Sequence, residues 1–572
     1  MAVTGNVEIT IIDGGAAVVV PSSKVQVVIG CSTGGTAAQI VATQNADTLA
    51  SNFTSGELPE AAALSTLKGA TVIAMKAATV TAGYVRGSTV ATTAITGATT
   101  ATPIVITSAG HGRATGDIVT IAGVGGNTPA NGTFRVLVLT SSTFSLVGSI
   151  GAGTYTSGGT VQFRGGNQLG TGTSNMLATG AATDTFYFKL VVLTGGTIGV
   201  TGITFKLSGD AGRHYGPTIS LGTASSYVIP KSGITLNFAA GTLVAGDTFT
   251  FGTVGPLTDT AGVIACLNAL KASAYGQAGF GSMHILGEWS GADADTLNDS
   301  LDTLASNNYI YTRMISTARD ASPPLIYGGT AETQTTWIAA IALDYSAVDA
   351  KRVCANGGYY NMASAYPNAA FGSPTYRRPF AWSLAARQTQ IAPQRHAGRV
   401  KDGAMPFISI DPTNDPQDGF IYYDNMVQSG LDVARFCCAR SRNGYPGLYV
   451  VQPNLMSATG SVFDILPKGN VMDIACDIIQ QVGAVEINDD LRAQANGTLF
   501  QNDALAIQNA MLGQIDANMT AAGMISSASV VVDQSANVKS TGIVPVSATI
   551  NGVSYILQMN VNVGFQNPLA AS

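Results

Sequence analysis

Charge is scarce in this chain. Of its 572 residues only 11% are Asp, Glu, Lys or Arg, against roughly a quarter in a typical soluble domain. So little charge does not cover a large monomer surface, and it suits a protein much of whose surface is buried in an assembly. The formal net charge of −6 excludes a general nucleic-acid binder. Apolar residues come in short runs, none reaching the ~18 needed to cross a bilayer, so direct membrane insertion is not expected. The opening MAVTGNVEITIIDGG lacks the basic and apolar regions of a secretion signal. Cysteines are few, and Cys31, Cys266, Cys354, Cys437, Cys438 and Cys476 form no CxxC or Cys/His metal spacing. They read as buried thiols rather than a disulfide framework.

Catalytic residue types are equally thin. The only histidines are His111, His214, His284 and His396. The first two fall in Gly-rich turns and His284 inside an apolar strand, so each reads as a satisfied structural histidine. No HExxH, GxSxG or EF-hand pattern occurs. The stretch GCSTGGTAAQI (30–40) follows a strand as a phosphate loop would, but it has no GK[ST] and reads as a turn. The expectation is a non-enzyme with no catalytic residues, no cofactor and no metal.

What the chain does have is organised in blocks. An extended arm (1–20) carries Val7, Ile9 and Ile11 on one face. A buried-strand run VQVVIG (25–30), a helix over 57–69 and a strand TVIAM (71–75) make a βαβ-like unit. From residue 92 the composition turns to Thr, Gly and alternating apolar runs, giving two inserted all-β domains, 92–164 and 165–257. Helix–strand alternation then resumes: a helix capped by Asp259, strands SMHILG (282–287) and YIYTRMIS (309–316), and helices over 292–305 and 332–350. Segments 21–91 and 258–400 together form a split α/β core. Residues 401–549 read as an α+β domain, with a hairpin over 432–456 and helices over 471–485 and 502–523. Residues 550–572 form a second arm.

That second arm contains VSYILQMNVNVGF (553–565). Val553, Tyr555, Leu557, Met559, Val561 and Val563 alternate with polar residues, broken only at Ile556. This is the pattern of a half-buried strand, with no local partner evident, and such an edge invites association. Charge is also segregated. Lys351 to Lys401 holds eight Lys/Arg and no acid, while Asp402 to Asp432 holds six Asp and no Lys or Arg. Either this is one intramolecular salt-bridge network, or complementary patches meet across copies. The candidate charged interface is Arg377, Arg378, Arg395, Arg399, Lys401, Asp411, Asp415 and Asp418.

Four passages resemble the contractile tail sheath proteins of myovirus-type bacteriophages: the N-terminal arm, YGGTAETQTTWIAAIALDYSAVDAKR (327–352), ARSRNGYPGLYVVQPNLM (439–456) and YILQMNVNVGF. The resemblance covers about 1–90 and 258–572. It implies a split subtilisin-like α/β core without a protease triad, outward decoration by the inserts, and an inner C-terminal domain. It further implies arms that add strands to neighbouring subunits. The implied partners are the chain itself, in stacked hexameric rings around a tail tube protein, and the baseplate and tail terminator proteins. The implied place is the virion tail, assembled in the bacterial cytoplasm, where contraction drives the tube into the host envelope. The segment ATPIVITSAGHGRATGDIVTIAGVGGNTPANGTF within the first insert is similar to a small β module also seen in ubiquitin-activating enzymes (FCCH-like).

Three other readings compete. The sheath of a bacteriocin or injection particle has the same sequence requirements. A glycan-binding surface adhesin predicts a secretion signal, and a hydrolase predicts a nucleophile–base pair; neither feature is seen.

Overall fold

The computed structural model describes residues 22–87, 92–372, 374–409, 419–487 and 490–556. They are a mixture of α and β structure in which antiparallel sheets predominate. Two compact units are distinguished, one ending at Asn470 and the other beginning at Val471.

The first unit is built on a six-stranded sheet. Val25–Gly30 lies at its middle, parallel to Thr71–Lys76 on one side and to Ser282–Glu288 on the other. Met314–Thr317 and Val353–Asn356 continue the parallel order, and Ile40–Thr43 closes the opposite edge antiparallel. The strands are apolar on both faces because both are covered. Val27 and Ile29 point to a core with Leu297, Leu301 and Trp337, whereas Val28 points to Leu58, Ala62 and Trp382, as the period of two demands. On the first face, helix Thr260–Lys271 starts at Asp259, whose carboxylate accepts from the Gly262 N–H at 2.8 Å. Gly291–Asn308 starts with a Ser290/Asp293 capping box. It ends at Tyr309 in the left-handed region (φ 58°). That turn is why the strand expected over 309–316 is only Met314–Thr317.

The insertion leaves and returns as a paired stem. Tyr84–Val85 pairs antiparallel with Thr253 and Val254. Within it, the boundary expected between residues 164 and 165 falls inside one strand, Thr160–Leu169. Its first half pairs with Asp117–Ala122 and its last residues with Thr248–Val254, the register shifting between Phe163 and Asn167. One backbone therefore serves two cores. Ile106, Val119, Phe144 and Val161 belong to one, and Phe188, Phe205, Phe249 and Phe251 to the other. The second core also takes in Phe371 and Tyr376 from beyond the insertion. Phe188 and Phe371 meet edge-on at 5.4 Å, so this half is keyed into the α/β part and does not merely decorate it.

The α+β domain expected from residue 401 is divided differently. The hairpin Ala439–Arg442/Tyr445–Val450 belongs to the first unit, where Cys437, Ala439, Leu448 and Val450 pack with Ile315, Phe380 and Leu384. The second unit packs Ile474, Ile478 and Val482 against Ile507, Met511, Ile515 and Met519. To these it adds a two-stranded antiparallel sheet, Ile525–Val532 with Val546–Gly552. The last described strand is thus Val546–Gly552, with a local partner, and residues 553–556 beyond it are not strand. The arm expected from residue 550 overlaps this hairpin, because Ala548 and Ile550 already pair with Val530 and Ala528.

Candidate functional site

The sheet changes direction around Val25–Gly30. The chain moves to Thr71–Lys76 on one side and later to Ser282–Glu288 on the other, and both connections leave the carboxyl ends of the strands. In open α/β sheets such a switch point forms a crevice. Here it is a cavity of about 250 Å³. Its walls are Cys31 and Leu286–Trp289 from the strand ends, Glu57 from the following helix and Asp320. Tyr359 and Arg377–Pro379 come from the later sheet, and Tyr84, Arg86, Tyr187 and Val254 from the insertion stem.

Two adjacent arginines organise it. Successive side chains of a strand leave on opposite faces, and in Thr375–Pro379 this sends Arg377 and Arg378 to different partners. Arg377 donates from Nε and Nη2 to both oxygens of Asp320, at 2.7 and 2.8 Å, and also to the Ile421 carbonyl at 2.8 Å. Arg378 donates to Asp184 at 2.6 and 3.2 Å and to Glu60. Burial opposes the charge of each arginine, but the facing carboxylates outweigh it and raise both pKa values. The Arg378 cluster ties the helix Glu57–Thr66, the insertion and the later sheet together.

The remaining carboxyls sit under strain of charge. Burial, then Asp184, pushes Glu57 up to about 8, with Arg378 pulling the other way. Burial likewise raises Asp184 to about 6, against the pull of Arg378 and with Glu60 adding to the rise. Glu288 lines the cavity and is exposed to it. Its Oε1 accepts from Tyr359 at 2.8 Å and from the Asp320 N–H at 3.1 Å.

These positions correct the charged-interface expectation. Arg377 and Arg378 are 6% and 2% exposed and have internal partners, so neither reaches another molecule. Arg395 and Arg399 are half-exposed and stand 3.7 and 3.5 Å from Asp402; Lys401 is exposed in the turn between them. Asp424 accepts from the N–H groups of Met426 and Ser441, and Asp432 from Asn454, all within the first unit. Asp411, Asp415 and Asp418 lie outside the described residues, as do Val7, Ile9, Ile11, Leu557, Met559, Val561 and Val563. Val553 and Tyr555 are described and half-buried.

The partners of the arginines are Glu60, Asp184 and Asp320, none of them in the acidic block after residue 401. Their distance in sequence hides them, although Glu60 inside the otherwise apolar LPEAAAL (58–64) is a local signal, since a carboxylate on a helix buried all round needs a cation.

The histidines divide. His111 accepts from the Arg113 N–H and meets the Thr140 carbonyl, both at 3.0 Å. His214 Nδ1 meets Asp210 at 2.6 Å. His284 departs from expectation: it is 1% exposed and neither ring nitrogen has a partner among the described residues. Burial pushes it down to about 3. Among the described residues, no cluster of His, Cys, Asp and Glu could hold a metal, and no helix is long and apolar enough to cross a membrane.

Residues 4–452 match the model of a protein family described as DUF2586, N-terminal domain. No curated protein matches. Among solved structures, the chain is similar to a sheath tail protein from Listeria innocua, at 10% identity and a TM-score of 0.35, covering 92% of this chain and 94% of that one. It is similar to a sheath tail protein from Desulfitobacterium hafniense at 9% identity and a TM-score of 0.39, with coverages of 93% and 97%. A third similarity, at 9% identity and a TM-score of 0.37, is to the sheath complex of an extracellular contractile injection system in its contracted state, with coverages of 57% and 77%.

Proposed function

The chain belongs to the DUF2586 family, and we propose that it is a non-enzymatic structural subunit of a contractile tail sheath, polymerising with itself around a tube. One observation carries this reading. The sheet of Ile525–Val532 and Val546–Gly552 has only two strands among the described residues, so both lie at its edges. Each keeps an outer edge to which a further strand can bond. The alternating apolar sequence of 557–565 follows within a few residues. A strand added from another copy would complete such a sheet through directional backbone hydrogen bonds, its alternation fixing the register.

Repetition of one heterologous contact gives rings where the rotation closes and helices where it does not. The low charge of the chain agrees with a surface largely covered by copies of itself. In this reading the α/β part is a subtilisin-like scaffold retained for shape, and the insertion faces outward. The tube, baseplate and terminator are the remaining partners, and assembly takes place in the bacterial cytoplasm. Contraction requires two packings of one chain that differ modestly in free energy, so no nucleotide is needed.

Negative-stain electron microscopy of the purified full chain tests the proposal. Rings, tubes or stacked sheaths are expected. A monodisperse monomer at every concentration and ionic strength contradicts it.

A further inference from the structure

Two ionisable side chains in the switch-point cavity stand apart from its ion pairs. Arg86 lines the cavity but makes no ion pair and no side-chain hydrogen bond among the described residues. Its guanidinium rests 5.9 Å from the Tyr187 ring. Its aliphatic stem packs close to Gly252, where a Cβ would lie 3.0 Å from the Arg86 Cδ and 2.6 Å from the Tyr327 carbonyl oxygen. Glu57 lines the same cavity and also has no hydrogen-bond or ion-pair partner among the described residues.

The two form no ion pair with each other. The charged groups acting on Arg86 are Glu288 and Asp320, with the phenols of Tyr187 and Tyr84. Those acting on Glu57 are Asp184, Arg378, Glu288 and Glu60. Glu288 acts on both and lines the same cavity. Between a lone cation and a lone carboxyl the walls are amphipathic, with Val254, Leu257, Leu286 and Trp289 beside Tyr359.

We propose that this cavity binds a small zwitterion of the amino-acid class, its carboxylate on Arg86 and its ammonium on Glu57 and Glu288. A simple anion satisfies Arg86 but leaves Glu57 without a partner. A simple cation leaves Arg86 alone. A molecule carrying both charges a few atoms apart satisfies both ends, and a volume of about 250 Å³ admits one. Glu57 holds its proton at neutral pH, and an arriving ammonium favours the carboxylate, so binding releases that proton to the buffer. The bound molecule would bridge the insertion stem, through Arg86, to the α/β sheet. The inference stands on the cavity alone and does not depend on the sheath reading.

Titration calorimetry and thermal unfolding of the full chain test it, with free amino acids at millimolar concentration as probes and acetate, methylamine and inorganic phosphate as single-charge controls. At least one amino acid should bind and raise the unfolding temperature, while the controls do neither. The binding heat at pH 7 should vary with the ionisation enthalpy of the buffer, reporting proton release. Arg86→Gln and Glu57→Gln should each weaken binding by about tenfold or more, and with Glu57→Gln the buffer dependence should vanish. Neither side chain has a hydrogen bond or ion pair to lose among the described residues, so both variants should fold, as a parental circular dichroism spectrum will show. Absence of binding by every amino acid overturns the proposal, as does equal binding of acetate or phosphate, or undiminished binding by both variants.

Discussion

Arg378 Nη2 lies 2.6 Å from Asp184 Oδ2, joining positions 194 residues apart. Asp184 sits in the insertion and Arg378 in the sheet beyond it, and the same guanidinium reaches Glu60 in a helix near the start of the chain. All three are nearly buried. Removing one member strands the opposite charge in a low dielectric, which costs about 3–5 kcal/mol. Arg378→Met should therefore destabilise the first unit by that order in denaturant unfolding and expose the insertion stem to proteolysis. Asp184→Asn combined with Arg378→Met should cost less than the two single changes summed, since the Asp184 carboxylate is then no longer stranded and only Glu60 loses its partner.

Glu57 gives a pH dependence of definite sign. Its carboxyl is raised from an ordinary 4.5 to about 8, so the folded state keeps a proton that the unfolded state has lost. The associated stability is full below pH 4.5 and disappears as the pH rises through about 8. Asp184, held up at about 6, acts in the same direction. Glu57→Gln should match the parent in acid and exceed it in thermal stability at about pH 9. Parallel stability curves across that range would count against the assignment.

His284 has the opposite sign. Burial pushes it from 6.5 down to about 3, so the unfolded chain takes up a proton first and stability falls as the pH drops from 6.5 towards 3. Its ring nitrogens lack partners among the described residues, and an unmade buried hydrogen bond costs about 1–3 kcal/mol. His284→Met should therefore be neutral or stabilising at pH 7, and should remove part of the acid sensitivity. A loss of more than about 2 kcal/mol at pH 7 would instead mean that the imidazole is bonded.

The half-exposed pairs of Arg395 and Arg399 with Asp402 contribute little to folding, at most about 1 kcal/mol. Reversing both to Glu should leave the unfolding midpoint nearly unchanged. It should weaken self-assembly, measured by sedimentation, most strongly at low salt. Assembly equal to the parent at all ionic strengths would confine this cluster to its own subunit.

Local pattern made much of the fold legible. The runs VQVVIG, TVIAM and SMHILG are strands within a residue of where their apolar character put them, and Asp259 caps its helix. The sequence was silent where structure depends on distant partners. The strand Thr160–Leu169 serves two cores, and nothing local distinguishes it from two short strands. The charge block around Arg377 and Arg378 looked like a surface because their acids lie far away in the chain, at Glu60, Asp184 and Asp320. The alternation of 553–565 is visible in the sequence, whereas the strand just before it, Val546–Gly552, is defined by its distant partner Ile525–Val532.

The central claim is that residues after the last hairpin join copies of this chain. The direct measurement is electron microscopy of the full chain beside a form ending at Ile556, which leaves the paired strand Val546–Gly552 whole. The account predicts rings or tubes from the full chain and monomers from the shortened one, with the same circular dichroism spectrum for both folds. Tubes of equal length and abundance from the shortened protein would contradict it.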